Sequence, residues 1–191
     1  MCIRDSNYPL KTGLIAEIGS GSPIIALRAD IDALPIREKT GLDYASTNGA
    51  MHACGHDFHQ TSLLGAAELL KNREDELQGT VRLIFQPAEE NFQGGYQIIE
   101  AGGLEGVSAI VGYHNYPHLK PGQLGLKSGA IMAGVEQFEV TVQGVSSHAA
   151  RPDLGVDTVL TVTTIVNNLQ AIVARTVSPF ESAVLSVTHI D

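Results

Sequence analysis

The sequence predicts an α/β layer with a mainly parallel sheet flanked by helices, followed by a small α+β domain. Three observations carry this. Near-continuous apolar strands alternate with helical patterns as far as about Gly129. Beyond that point the strands change to strict two-residue alternation on either side of one long helix. The chain has 191 residues, 43% hydrophobic and 17% charged, which suits a packed core and one to one and a half domains. The expected division is 7–129 and 130–191. Residues 1–6, "MCIRDS", fit no pattern and are set aside as non-native sequence. The strand-like ends suggest an internal fragment, with both domains incomplete.

In order, "TGLIAEIGSGSPIIALRADID" reads as a hairpin of "GLIAEIG" and "PIIALRA" around a Ser-Gly turn. The second strand is apolar on both faces and is expected to be buried. "GSGS" lacks a following Gly-Lys-Ser/Thr, so it is a turn rather than a phosphate loop. Phe58, Leu63, Leu64, Ala67 and Leu70 predict a helix from Asp57 to about Lys71, with Asp57 and Gln60 as its capping box. "GTVRLIFQ" is a second buried strand, "GGYQIIEAGG" a short helix and "VSAIVGYH" a third buried strand. After Gly129, "EQFEVTVQGV" alternates as a half-buried strand, a helix runs from about Gly155 to Arg175, and "SAVLSVTHI" alternates again.

The formal net charge of −9 disfavours nucleic acid and anionic membrane surfaces as partners. No apolar run approaches the ~18 residues of a membrane span, and no signal-peptide pattern is visible. Two cysteines, Cys2 and Cys54, make no disulfide framework, so a cytoplasmic location is expected.

Chemistry concentrates in "MHACGHDFHQ", residues 51–60, which holds three of the seven histidines and one of the two cysteines. On extended chain Cys54 and His56 share a face, about 6–7 Å apart, and could serve one metal or adjacent ones. A helix beginning at Asp57 would favour the Cys54 thiolate through its dipole. "FQPAEEN" places Glu89 and Glu90 after a buried strand, where open α/β sheets carry their sites. Neighbours on extended chain point opposite ways, so one carboxylate can hold metal while the other holds a water. His114 follows the next strand, and Asp30 and Asp32 end the "IIALRA" strand, as ligands, supporting partners or caps. Each feature alone also suits an ordinary surface. Together, four buried strands in succession lead to one edge bearing thiolate, imidazole and carboxylate, the zinc-type set, with manganese, cobalt or nickel also accommodated. A free carboxylate beside them is what metal-assisted hydrolysis needs as a general base.

"LRADIDALPI", "MHACGHD", "GTVRLIFQPAEE", "GYHN" and "GVSSHAARPDLGVD" occur in that order. They resemble the metallo-amidohydrolases of aminoacylase and carboxypeptidase G type, in the branch of hippurate hydrolase, N-acyl-amino-acid amidohydrolases and auxin-conjugate hydrolases. The resemblance covers nearly all of residues 13–191. It implies a metallopeptidase-like catalytic domain with two divalent metal ions, and an inserted lid that mediates homodimerisation. Carried over by motif, Cys54, His56, Glu90 and His114 are the metal ligands. Glu89 is the general base, taking a proton from the attacking water and passing it to the leaving amine. Two metals about 3.5–4 Å apart would polarise the amide carbonyl. Asp57 orients a ligand histidine and Asp32 supports the site from behind. Asp30 is not a ligand in this branch. His148, in the lid, helps stabilise the tetrahedral oxyanion from the partner subunit. Many relatives have histidine at the position of Asp153, which leaves that residue without a role. A last ligand histidine is expected beyond residue 191. His52, His59, His118 and His189 match no role and are read as surface or core residues.

The activity this implies is hydrolysis of the amide bond of small N-acyl amino acids. Alternatives are a dipeptidase or carboxypeptidase of the same family, a thiol hydrolase using Cys54, and a metal-binding dimerisation module without turnover. The acyl group, the amino acid and the metal are not specified by these motifs.

Overall fold

A five-stranded mixed sheet carries the first part of the chain. The computed structural model describes residues 8–191 and the backbone of Arg4–Asp5; the expectation of non-native sequence at 1–6 otherwise lies outside the described residues. The elements are β1 (Arg4–Asp5), β2 (Leu14–Gly19), β3 (Ile24–Asp30), α1 (His56–Lys71), β4 (Thr80–Gln86), α2 (Gly94–Glu100), β5 (Val107–Gly112) and α3 (Thr158–Arg175). Two compact units divide the chain, Met1–Gly125 and Leu126–Asp191.

The strand order is β1-β2-β4-β3-β5. β3 runs parallel to β4, with Leu27 beside Leu83, and parallel to β5, with Leu27 beside Val111. β2 is antiparallel to β4 and to β1. Half of the pairings are therefore parallel, and the sheet is mixed rather than mainly parallel. The expected hairpin does not form. β4 lies between β2 and β3, because a strand apolar on both faces gains most by taking the sheet centre with a neighbour on each side.

Alternation across the strands divides the core between the two faces. Ala16, Ile18, Ala29, Leu83 and Phe85 pack against Leu63 and Ala67 of α1. Ile15, Ala26 and Ile84 pack against Ile98 of α2. Arg82, also buried, donates to Glu17 at 2.8 Å and to the Gly103 and Glu105 carbonyls. α1 begins at His56 with Gly55 as its N-cap, at φ 103°, and no side chain caps it, so the Asp57–Gln60 capping box is not formed. Its buried stripe is His56, His59, Leu63 and Ala67, the i, i+3, i+7 spacing of one helix face.

β5 departs from expectation. It reads as a buried strand but is an exposed edge, with Ile110 and Val111 more than half exposed. A continuous apolar run does not distinguish a central strand from an edge, since both depend on neighbours elsewhere in the chain.

In the second unit, Asp157 caps α3 by accepting from the Leu160 N–H at 3.0 Å. The alternating segments 136–144 and 183–190 form no strands, and only Val145 and Val156 make an isolated antiparallel bridge. Alternation describes a face; a strand also needs a neighbour to satisfy its amides, and neither segment has one among the described residues.

Candidate metal centre

The C-terminal ends of three parallel strands and the start of α1 converge on one cluster. Asp30 ends β3, the turn holding Glu89 and Glu90 follows β4, and His114 follows β5. Cys54 and His56 enter from the loop into α1. Three strands, not four, thus lead into the site, since no strand precedes Cys54 and His56 between β3 and α1.

His56 is 1% exposed, and its Nδ1–H donates to the Asp32 carbonyl at 2.9 Å. Its Nε2 is left with a lone pair and no hydrogen-bond partner. That nitrogen faces Glu90 Oε1 at 3.6 Å, itself buried and without a partner, and Glu89 Oε2 at 3.7 Å. His114 repeats the pattern. Its Nδ1–H donates to the Asn115 carbonyl at 2.7 Å, and its Nε2 lies 3.6 Å from Cys54 Sγ. The ligand atoms of Cys54, His56 and Glu90 all fall within 4.8 Å of one another. Gly55, at φ 103°, makes this possible by turning the chain between Cys54 and His56, so the extended geometry expected from the sequence is not used. A Cβ on Gly55 would also meet Asn115 Nδ2 at 2.9 Å.

Glu89 and Glu90 reach the same imidazole nitrogen rather than opposite sides, because the turn is not extended. Ala88 and Phe92 hold φ values of 53° and 62°. Left-handed backbone at non-glycine residues costs about 1–2 kcal/mol each. The Ala88 carbonyl accepts from Gln93 and Gly94, and the Glu90 N–H donates to Asp32 Oδ2 at 3.1 Å, which offset that cost. Exposure separates the two glutamates: the Glu89 side chain is 35% exposed and Glu90 26%, with Glu90 Oε1 fully enclosed.

Gly94 closes the turn so tightly that a Cβ there would stand 1.6 Å from the Pro87 carbonyl oxygen. Gly94→Ala is expected to lower stability by about 3 kcal/mol, the upper part of the overpacking range. It should also weaken metal binding, because the Glu89–Glu90 turn must move. Thermal unfolding and metal titration check both effects.

Burial, then the charges of Glu90 and Glu89, push the Cys54 thiol up to about 11. Burial and the acidic neighbours thus oppose the thiolate that the sequence expected the helix dipole to favour. A cation placed among these groups reverses that balance. Sulfur, imidazole and carboxylate donors, with two orphaned buried atoms aimed at each other, fit a divalent metal of zinc type.

A second cluster, Asp30, His56 and His59, also lies close together. It does not fit a metal in the same way, because the ligand atoms of Asp30 and His59 are taken. Asp30 accepts from Arg28 at 2.7 Å and from His59 Nδ1 at 2.6 Å, and His59 Nε2 accepts from the Asn115 N–H at 2.7 Å. Burial alone would raise the Asp30 carboxyl; the His59 hydrogen bond and the Arg28 charge outweigh it and hold it below its usual range.

Cys54, His56, Glu89, Glu90 and His114 are therefore brought together, with Asp32 bridging His56 and Glu90. Asp32→Ala removes the acceptor for the Glu90 N–H and is expected to weaken metal binding about 10–100-fold with the fold retained. A chelator competition titration measures it. Asp57 is exposed in the first turn of α1, and among the described residues no hydrogen bond joins it to a histidine; the Asp32 carbonyl accepts from His56 Nδ1. His148 lies in the second unit, where its Nδ1 accepts from the Ala150 N–H at 3.1 Å and its ring lines a pocket with Ser146, Ser147 and Asp157. Sequence reasoning gave no role to His59. Its signal was the i, i+3 spacing from His56, visible once α1 starts at His56 rather than Asp57.

Comparison with known proteins agrees with this chemistry. The chain is 52% identical to the N-acetyl-L-cysteine deacetylase of Bacillus subtilis over 185 residues, covering 95% of this chain and 44% of that protein. It is 49% identical to the IAA-amino acid hydrolase ILR1-like 5 of Arabidopsis thaliana over 193 residues, covering 100% of this chain and 44% of that protein. The chain thus spans less than half the length of these relatives. The crystal structure of the Bacillus subtilis YXEP protein, a dinuclear metal-binding peptidase, matches with a TM-score of 0.64 at 56% identity, over 66% of this chain and 37% of that one. A solved structure from methicillin resistant Staphylococcus aureus matches 94% of this chain and 49% of that one, with a TM-score of 0.73 and 35% identity. Residues 26–185 match the family described as Peptidase family M20/M25/M40, and to that family this chain belongs.

Proposed function

We propose that the protein is a metal-dependent amidohydrolase that cleaves the amide bond of N-acyl amino acids. One observation carries the proposal: the buried, unpartnered His56 Nε2 and Glu90 Oε1 face each other at 3.6 Å, beside Cys54 and His114. The relatives support the substrate class, since those named above are a deacetylase of an N-acetyl amino acid and a hydrolase of an amino acid conjugate.

In this reading Cys54, His56, Glu90 and His114 hold the metal pair. A divalent metal bound there supplies Lewis acidity toward the amide carbonyl and the attacking water. Glu89 reaches the same centre, is partly open to solvent and lies within reach of a water there. Its carboxylate takes a proton from water as the water oxygen bonds to the carbonyl carbon. The C–N bond then breaks, and Glu89 returns the proton to the leaving amine. Asp32 keeps the His56 tautomer that leaves Nε2 free. His148 is assigned to the oxyanion of the tetrahedral intermediate, acting across a homodimer formed through the second unit. A cytoplasmic setting belongs to the same proposal, in keeping with the free thiol of Cys54.

The 3.6 Å approach of Cys54 to His114 also suits a thiol–imidazole pair. The raised thiol and the two adjacent carboxylates oppose a nucleophilic thiolate and favour the metal reading. The test is amine release from N-acetyl amino acids after incubation with zinc or manganese. The proposal predicts release that a chelator abolishes; release that persists in chelator would favour the thiol route.

A further inference from the structure

We propose that His59 is a positioning residue of this centre: a neutral, two-ended clamp that fixes the backbone of Asn115 and thereby aims His114 Nε2 at Cys54. The inference rests on the metal-site reading above and goes beyond it by assigning a residue outside the ligand set.

His59 is buried on α1, 2% exposed, three residues after His56. Its Nε2 receives the Asn115 N–H at 2.7 Å. A backbone N–H can only donate, so Nε2 carries a lone pair and the ring proton sits on Nδ1. Nδ1 lies 2.6 Å from Asp30 Oδ1 and donates to it. Arg28, on the other Asp30 oxygen at 2.7 Å, balances the carboxylate charge without a proton from His59. Both ring nitrogens are thus spent, which removes His59 from the ligands although it lies in a cluster of potential donors.

The clamp continues outward. The peptide that His59 grips on the N–H side of Asn115 leads directly to His114, and the Asn115 carbonyl accepts the His114 Nδ1–H at 2.7 Å. That second bond puts the His114 lone pair on Nε2, the nitrogen 3.6 Å from Cys54 Sγ. The His59 and His114 rings also lie against each other, with centroids 4.7 Å apart. The route Asp30, His59, Asn115, His114 therefore ties the end of β3, through α1, to the segment after β5. β5 is an exposed edge strand, so the segment that follows it depends on this tie more than the turns after β3 and β4 do.

Nitrogen-15 NMR of the wild-type chain tests the clamp directly. The expected result is a His59 ring protonated at Nδ1, with a coupling across the hydrogen bond between the Asn115 amide nitrogen and His59 Nε2. Zinc titration should then move the Nε2 signals of His56 and His114 and leave His59 Nε2 at its hydrogen-bonded position. Two variants read the consequence. Glutamine can place an oxygen near the Nε2 position and keep the Asn115 bond; asparagine reaches only Asp30. His59→Gln should retain the cobalt absorption spectrum and affinity of the wild type. His59→Asn should lose affinity by about 10–100-fold at unchanged circular dichroism. Absence of the Asn115 coupling, a zinc-induced shift of His59 Nε2 to a coordinated value, or wild-type cobalt binding in His59→Asn overturns the proposal. Zinc that moves none of these histidines overturns the metal reading itself, and the coupling shows whether the clamp survives that failure.

Discussion

Glu89→Gln is expected to lower amide hydrolysis about 10²–10⁴-fold, the contribution of a positioned general base, while metal content stays at the wild-type level. The two adjacent glutamates make the contrast sharp. Both reach His56 Nε2, at 3.7 Å for Glu89 and 3.6 Å for Glu90. The Glu90 oxygen is enclosed and unpartnered, whereas the Glu89 side chain is 35% exposed. Glutamine matches glutamate in shape but cannot take up the proton, so the ligand shell is preserved and only the proton transfer is lost. Parallel measurement of turnover and metal content checks this. Equal losses of metal and turnover would make Glu89 a ligand; unchanged turnover would remove it from the chemistry.

Cys54→Ala has the largest expected effect on the metal itself. The sulfur is the one soft donor in the cluster and lies 3.6 Å from His114 Nε2. Loss of a partner that only orients a ligand costs about 10–100-fold, so loss of this direct ligand should weaken binding by more than about 100-fold. The fold should survive, because Cys54 is only partly buried and belongs to neither core cluster. Equilibrium dialysis with zinc, alongside circular dichroism, separates metal loss from unfolding. Wild-type zinc affinity in folded Cys54→Ala would exclude the sulfur from the centre.

Strands β2 to β5 and the helices of the first unit were legible because their apolar patterns are local; β1 falls in the residues set aside as non-native. Their neighbours were not. The Ser-Gly turn between β2 and β3 suggested a hairpin, yet β4 takes the place between them, a choice made by strand burial rather than by the turn. β5 reads the same as β4 in sequence and differs only in having a single neighbour. The segments 136–144 and 183–190 have the alternation of strands but no ladder partner. In the site, residue types and spacing pointed to Cys54, His56, Glu89, Glu90 and His114. The carbonyl of Asp32 as the group orienting His56 was not readable, since backbone oxygens carry no sequence signature. His59 was hidden by a one-residue error in the start of α1, which took it off the face that His56 occupies.

The measurement that tests the central claim most directly is metal content per folded chain, by elemental mass spectrometry with circular dichroism on the same sample. A metal pair held by Cys54, His56, Glu90 and His114 predicts about one to two divalent ions per chain. A folded chain that carries no ion after incubation with zinc or manganese would contradict the account.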